Sequence, residues 1–311
     1  MKRFFICAAA AIVALASCSK TEVVNNEAPQ EIGFKAVTGV MTKGVQATGQ
    51  FDQTIGVLAY NTDGLNEYFA NAEFDKTTVD GVTTWNGVDA KYWPIDSELD
   101  FVVYSPYQAT GDPATVVVTN TAESKKLAVT VADNAKASLA LQTDYMYGTE
   151  YYADHSKVEA SVAVNFKHAL SLITVNFTGN TNVNIVSAIL DNTAQDGTYT
   201  VQYLPVVNPA ISWVPGTADN NLTLNPTSET ALSSTPITTQ YMVVPTEAST
   251  ITITYNIEGM TGADLVKEID LTETWTAGTH YTYNVNIGAN EIKFTTSVAD
   301  WGTSITPVEI Q

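Results

Sequence analysis

Arginine and cysteine are almost absent from this sequence of 311 residues. Arg3 is the single arginine, and Cys7 and Cys18 are the two cysteines. One arginine near the N-terminus excludes a site built on arginine clamps for phosphate or carboxylate groups. Two cysteines at that end exclude a disulfide framework and a cysteine-rich metal site in the rest of the chain. The stability of the chain must therefore come from a hydrophobic core, which this length allows.

Positive charge and histidine are also scarce. The chain has 14 Lys+Arg against 33 Asp+Glu, which gives a formal net charge of −19 at pH 7. This balance repels nucleic acid, so we expect no nucleic-acid partner. His155, His168 and His280 are far apart and have no partner at a metal-ligand spacing, so we expect no metal and no cofactor. We interpret His168 as a structural residue at a strand turn.

Motifs of catalytic chemistry are missing as well. The sequence has no Gly-x-Ser-x-Gly nucleophile elbow and no Gly-x-x-x-x-Gly-Lys-Ser/Thr phosphate loop. Asp144, Glu150 and Asp154 stand among tyrosines, where a sugar-processing enzyme would pair two carboxylates. The simpler interpretation is a tyrosine-rich strand and loop in an acidic protein. We therefore expect that the chain is not an enzyme.

The N-terminus has the pattern of an exported lipoprotein. Lys2 and Arg3 precede an apolar run of eleven residues, which is too short to span a bilayer but suits a signal peptide. The run leads into Leu-Ala-Ser-Cys, the pattern of a bacterial lipobox, which ends at Cys18. The sequence predicts a signal peptide at 1–17, a lipidated Cys18 and a polar tether at 18–30. An ordinary secretory signal with a chance cysteine is the alternative.

Beyond the signal segment, the pattern is almost wholly that of β-strands. Apolar and polar residues alternate in four segments, which is typical of strands with one buried and one solvated face. The side chains expected to be buried are Ile173, Val175, Phe177, Tyr199, Val201, Tyr203, Ile251, Ile253, Tyr255, Ile257, Tyr281, Tyr283, Val285 and Ile287. No long window has a helical pattern, and only residues 138–145 could hold a short helical turn.

Many short strands with frequent turn residues favour an all-β fold of sandwiches or barrels over a βαβ fold. The length of the chain favours two domains. A polar stretch at 153–157 marks the predicted boundary. We place an N-terminal β-sandwich domain at 31–158 and a C-terminal β-sandwich domain at 159–311.

Ten short blocks follow the lipobox in a fixed order. They are IGF at 32–34, TKG at 42–44, IGVLAY at 55–60, YWP at 92–94, LDFVVYSP at 99–106, DYMYG at 144–148, FKHALS at 166–171, WTAG at 275–278, YTYN at 281–284 and VADW at 298–301. In their joint order these blocks resemble the fimbrillin family, the type V pilins and their relatives, over nearly the whole mature chain. In structural terms, we expect Trp93 to plug the end of a sandwich, Gly278 to form a hairpin turn and Trp301 to pack over the C-terminal core.

The resemblance implies a fold of two tandem transthyretin-like β-sandwiches and a route of assembly. Family members travel to the outer membrane as lipoproteins, where a trypsin-like protease removes the lipidated N-terminus together with the first strand. The C-terminal strand of another subunit then fills the opened groove by strand addition. The resemblance thus implies a surface-exposed fimbrial subunit that supports adhesion. Its partners would be copies of itself or tip and anchor proteins, and a host or bacterial surface ligand.

The processing site of the best-known relatives follows an arginine, whereas the matching position here is Lys43, before Gly44. Cleavage at this position needs a protease that accepts lysine. The released segment would carry Ile32, Phe34 and Val37 as the residues that fill the groove.

The resemblance also assigns the donor strand, to residues 304–311. Its apolar contacts would be Ile305, Val308 and Ile310, and Pro307 suits an edge position. Two other functions stay open. One is a surface lipoprotein that does not polymerise, either a pilus anchor or a module that binds glycan or host protein. The other is a carbohydrate-active enzyme, which would need a convergent carboxylate pair.

Overall fold

The computed structural model describes residues 29–36, 54–62, 66–80, 82–95, 97–109, 116–121, 125–131, 139–154, 161–204, 211–216, 220–247 and 250–301. Secondary structure in these ranges is β, apart from one 3-10 turn at Leu139–Leu141. The predictions of an all-β fold and of a short helical turn within 138–145 are thus confirmed. None of the ranges contains a helix long and apolar enough to span a membrane.

The strands are β1 Gly33–Ala36, β2 Ile55–Asn61, β3 Glu67–Val79, β4 Val82–Gly87, β5 Leu99–Ser105, β6 Val116–Asn120, β7 Lys125–Val131, β8 Met146–Ala153, β9 Val162–Val164, β10 Lys167–His168, β11 Ser171–Gly179, β12 Val183–Thr193, β13 Gly197–Leu204, β14 Ile211–Pro215, β15 Asn220–Leu224, β16 Thr230–Ala231, β17 Ile237–Val243, β18 Thr250–Ile257, β19 Leu265–Asp270, β20 Thr279–Ile287 and β21 Ile292–Asp300.

An eight-stranded sheet forms the N-terminal part, in the order β10-β8-β5-β2-β3-β4-β1-β9. Its outermost strands, β9 and β10, are consecutive in the chain and only two residues apart. β9 also lies against β8. The sheet therefore curls until its two ends meet, and it encloses a core of its own. That core consists of Ile32, Phe34, Ile55, Val57, Ala59, Phe74, Trp85, Trp93, Leu99, Phe101, Val103, Met146, Ala153, Val162, Val164 and Phe166.

A smaller sheet, in the order β14-β13-β7-β6, covers part of the outer face of the curled sheet. Leu58 and Tyr60 of β2 pack there with Val129 of β7 and with Tyr199 of β13. Residues 55–60 are thus buried on both faces of the sheet. Burial on both sides explains why this block is a continuous apolar run rather than an alternating one.

The C-terminal part is a sandwich of two sheets, β17-β11-β20-β21 and β15-β12-β18-β19, with β16 paired to β12. The side chains predicted to be buried on β11, β18 and β20 lie in its core, and those on β13 lie under the smaller sheet. Tyr255 and Ile257, at the end of β18, are only half-buried and pack against this core. Alternation thus located the strands and their inward faces.

The domain boundary at 158/159 stays a prediction. Strands that follow it pair with strands that precede it: β9 with β1, β10 with β8 and β13 with β7. The sheets are therefore not divided at the same point as the sequence.

Candidate functional site

Several residues named in the sequence analysis lie outside the described residues. These are Cys18, Val37, Lys43, Gly44, His155, Ile305, Pro307, Val308 and Ile310. Ile32 and Phe34, expected to fill the groove, are described, and they place the candidate site around β1.

β1 is an interior strand with a partner on each side. It runs antiparallel to β4, with Phe34 opposite Trp85, and parallel to β9, with Phe34 opposite Val162. The pairing continues ahead of the strand. Ile32 N–H donates to the Lys91 carbonyl at 2.7 Å, and Trp93 N–H donates to a carbonyl at residue 30 at 3.0 Å. We call the place occupied by residues 30–36 the β1 groove.

The side chains of β1 close the core of the curled sheet. Ile32 is 2% exposed and Phe34 is fully buried. The Phe34 ring lies edge-on to Phe74 and Phe101, with ring centroids 5.0 and 5.1 Å away. Trp93, which we expected to plug the end of a sandwich, is buried in this core and meets Phe101 edge-on at 5.7 Å. Phe34 thus joins β1 to two strands that are not its neighbours in the sheet.

Residues 162–168 join the two ends of the curled sheet, and we call them the seam. β9 at its start pairs with β1, and β10 at its end pairs with β8. Between them Phe166 packs on Trp85 with ring centroids 5.8 Å apart. The sequence did not reveal the seam, since its pairing with β1 is parallel and joins residues distant in the chain. Two features of the sequence could have indicated it. Phe166 precedes a strand, and Trp85 is a tryptophan in an otherwise polar segment.

His168 has the structural role expected of it. Its Nδ1–H donates to the Asp144 carboxylate, with the two oxygens 2.9 and 3.0 Å away. Its ring stacks on the indole of Trp301, with centroids 3.8 Å apart and planes 9° apart. The expectation that Trp301 packs over the C-terminal core was wrong. Trp301 belongs instead to the cluster that the curled sheet and the smaller sheet share with Leu172 and Met242, because the end of β21 stacks on β10.

Asp144, Glu150 and His280 also have structural surroundings. Asp144 accepts from His168, and burial raises the pKa of Glu150 on β8. His280 Nε2 lies 2.8 Å from the Thr174 hydroxyl, and burial lowers the pKa of this histidine. Within the described ranges, His, Cys, Asp and Glu side chains form no group of three or more that could hold a metal ion.

Comparison with known proteins adds family relationships to this geometry. A sequence profile described as fimbrillin-like matches residues 26–301. A candidate fimbrium subunit of Bacteroides uniformis, Fim1C, is 24% identical over 316 residues, which covers 96% of this chain and 95% of that protein.

Solved structures share the fold. A candidate cell adhesion protein from Bacteroides uniformis has a TM-score of 0.57 at 18% identity, covering 87% of this chain and 98% of that one. A fimbrial protein from Bacteroides vulgatus has a TM-score of 0.56 at 17% identity, covering 88% and 99%. The tip fimbrial protein Mfa3 from Porphyromonas gingivalis, truncated at its C-terminus, has a TM-score of 0.50 at 11% identity, covering 88% and 99%. Since the profile spans most of the sequence, the chain belongs to the fimbrillin-like family.

Proposed function

We propose that this chain is a structural subunit of a fimbrium, exported as a lipoprotein through Cys18 and joined to its neighbours by strand exchange. The observation that carries the proposal is β1, a short strand near the N-terminus that completes the core of a curled sheet. Two buried side chains and pairing on both sides hold it in place. A strand in this position can be replaced by a strand of the same shape from another molecule.

The position of β1 in the sequence is consistent with its removal by cleavage after Lys43. β1 ends at Ala36, and the Lys43–Gly44 bond lies seven residues further on. A cut there leaves β1 on the released N-terminal fragment, held by non-covalent contacts alone. The same cut would separate the subunit from its lipid anchor in the outer membrane.

Loss of β1 would leave a groove that requires a new occupant. β4 and β9 would lose a hydrogen-bonded neighbour, and Phe74 and Phe101 would lose the ring between them. Unpaired backbone and exposed apolar surface are both costly in water. The proposed occupant is the C-terminal segment 304–311 of another subunit, with Ile305, Val308 and Ile310 as its apolar contacts.

The expected strength of such a joint fits a chain without disulfides. Each backbone hydrogen bond contributes roughly 1 kcal/mol net. Each buried Ile, Val or Phe side chain contributes about 1.5–3 kcal/mol. A strand with several bonds and two or three buried side chains therefore gives a long-lived contact between subunits.

The test is the N-terminal mass of the protein recovered from the cell surface. The proposal expects a chain that begins at Gly44, in ladders that resist SDS. Lys43→Ala should abolish both the cut and the ladder, while Lys20→Ala in the predicted tether should change neither.

One observation favours a second candidate. The chain has no arginine beyond Arg3, so a protease that requires arginine would leave it uncut. The protein would then keep its lipid and serve as a fimbrial anchor or as a surface lipoprotein that binds a ligand. A surface form that begins at acylated Cys18, with the Lys43–Gly44 bond intact and no ladder, would replace the first candidate by this one.

A further inference from the structure

β9, the strand that begins the seam, depends on β1 for its hydrogen bonds within the described sheet. In the described sheet β9 is the outermost strand, and its only hydrogen-bonded neighbour is β1. The ladder between them pairs Phe34 with Val162 and Ala36 with Val164. When β1 leaves, β9 loses its whole ladder, whereas β4 keeps its ladder with β3.

The seam also fits tightly against β8. A Cβ added at Gly148 would lie 2.5 Å from Val164 Cγ1 and 2.9 Å from the Asn165 carbonyl oxygen. The two backbones are thus in close contact at this point. A shift of β9 after the loss of β1 would be passed along the seam, because so little free space surrounds it.

The C-terminal end of the seam, at His168, contacts Trp301 at the end of β21. His168 stacks on Trp301 and is itself held by Asp144. Trp301 N–H donates to the Gly278 carbonyl at 2.7 Å, and Gly278 N–H donates to the Leu170 carbonyl at 2.9 Å. Residues 302–311, which contain the proposed donor strand, follow Trp301 directly in the sequence.

We propose that the seam couples the occupancy of the β1 groove to the contacts that fix Trp301 in place. A subunit with a filled groove keeps the root of its C-terminal segment fixed, and loss of β1 loosens the seam and releases that root. A subunit would thus become a competent donor when it loses its own first strand, so the two halves of assembly are ordered. This inference rests on the proposed function. Its physical basis is an equilibrium between a closed and a locally opened seam. β1 favours the closed seam through its ladder with β9, and opening of the seam weakens the contacts of Trp301 at the other end.

The coupling itself is tested by hydrogen exchange on single subunits, which requires no polymerisation. A specific protease site is introduced within residues 37–43 of a chain that lacks residues 302–311, so that the cut subunit has no donor strand and stays a single subunit. The folded protein is measured before the cut and after removal of the N-terminal fragment. The expected result is exchange that is about tenfold faster in peptides covering 162–168 and also in those covering 298–301. Peptides from β18 should be unchanged. The proposal would be overturned if exchange becomes faster in 162–168 while the exchange rate in 298–301 does not change.

Two variants of the uncut chain test the link at His168. His168→Ala removes the ring stack, so exchange in 298–301 should rise while exchange in 162–164 stays at the wild-type value. His168→Phe keeps a ring against Trp301 and should protect 298–301 as the wild type does. Equal protection of 298–301 in all three proteins would show that the stack does not hold Trp301.

A mixing assay tests the consequence for donation. The acceptor is the cut subunit stripped of its first strand, with residues 302–311 deleted. Uncut His168→Ala should donate to it at least about tenfold faster than uncut wild type, and His168→Phe at the wild-type rate. Equal rates for all three would overturn ordered release. An acceptor that does not bind even a free peptide of residues 302–311 would count against strand exchange, while the exchange measurements would still decide the coupling.

Discussion

Phe34 shows how one side chain ties the N-terminal strand to the rest of the curled sheet. It is fully buried, and it meets Phe74 of β3 and Phe101 of β5 in edge-on contacts. Lys35, the next residue, is only half-buried because alternate residues of a strand point to opposite faces. The hold on β1 is therefore concentrated in Phe34 and Ile32.

Phe34→Ala should lower the free energy of unfolding of the uncut protein by about 3–5 kcal/mol, because it leaves a cavity between two aromatic rings. Urea unfolding measures this change. Lys35→Ala, the matched control, should remain within about 0.5 kcal/mol of the wild type. Once the N-terminal fragment has been removed, the two variants should unfold alike, and a persisting difference would contradict the assignment of Phe34 to the removable strand.

His280 predicts a dependence of stability on pH. Burial lowers the pKa of His280 in the folded protein below its ordinary value of 6.5. Below that value the unfolded chain binds more protons at this residue than the folded chain does, so folding stability falls as the pH drops from about 7 to 5. His280→Gln should flatten this part of the profile of unfolding free energy against pH. An unchanged slope would show that His280 titrates alike in both states.

At the scale of single elements, sequence patterns correctly predicted the strands that have one buried face. β11, β13, β18 and β20 were found by alternation, because burial on one face imposes a period of two. The partners of β1 could not be found in this way. Its ladder with β9 is parallel and joins residues far apart in the sequence, and strand pairing of that kind leaves no local pattern. The closeness of β8 to the seam was hidden for the same reason.

Gly148→Ala should lower the free energy of unfolding by about 1–3 kcal/mol, because the new methyl group overlaps Val164 and the Asn165 carbonyl. Gly288→Ala is the matched control. Its added Cβ would lie 3.2 Å from the nearest atom, in the turn between β20 and β21, so its effect should be smaller. Equal effects in urea unfolding would show that the seam can move away from β8 at little cost.

At the scale of the whole molecule, the four sheets are linked more closely than the sequence suggested. The β13–β14 hairpin follows the predicted boundary, yet it extends the sheet that contains β7. Trp301 near the C-terminus reaches the edge of the curled N-terminal sheet. The composition predicted the all-β class correctly, because it depends on local preferences. Which strands share a sheet depends on contacts between distant residues, and no single segment records these.

The charge of the whole chain predicts how assembly responds to salt. A cut subunit that begins at Gly44 keeps 9 of the 14 Lys+Arg and 30 of the 33 Asp+Glu, which is a formal charge of −21, so two copies repel each other before their strands can pair. Raising the ionic strength from about 0.01 to 0.15 M shortens the screening length from about 30 to 8 Å. The rate of ladder formation by cut subunits should therefore rise with added NaCl. A rate that falls would indicate attraction between opposite charges on the two contact surfaces.

Strand exchange between subunits requires that the β1 groove bind the C-terminal segment. Subunits that lack residues 302–311 are cut, stripped of the N-terminal fragment and titrated with a synthetic peptide of residues 302–311 by calorimetry. We expect binding of one peptide per cut subunit, weakened when Val308 and Ile310 are both replaced by serine. We expect no binding to the uncut subunit, whose groove is filled. Absence of binding to the cut subunit, or equal binding to cut and uncut subunits, would contradict strand exchange at the β1 groove.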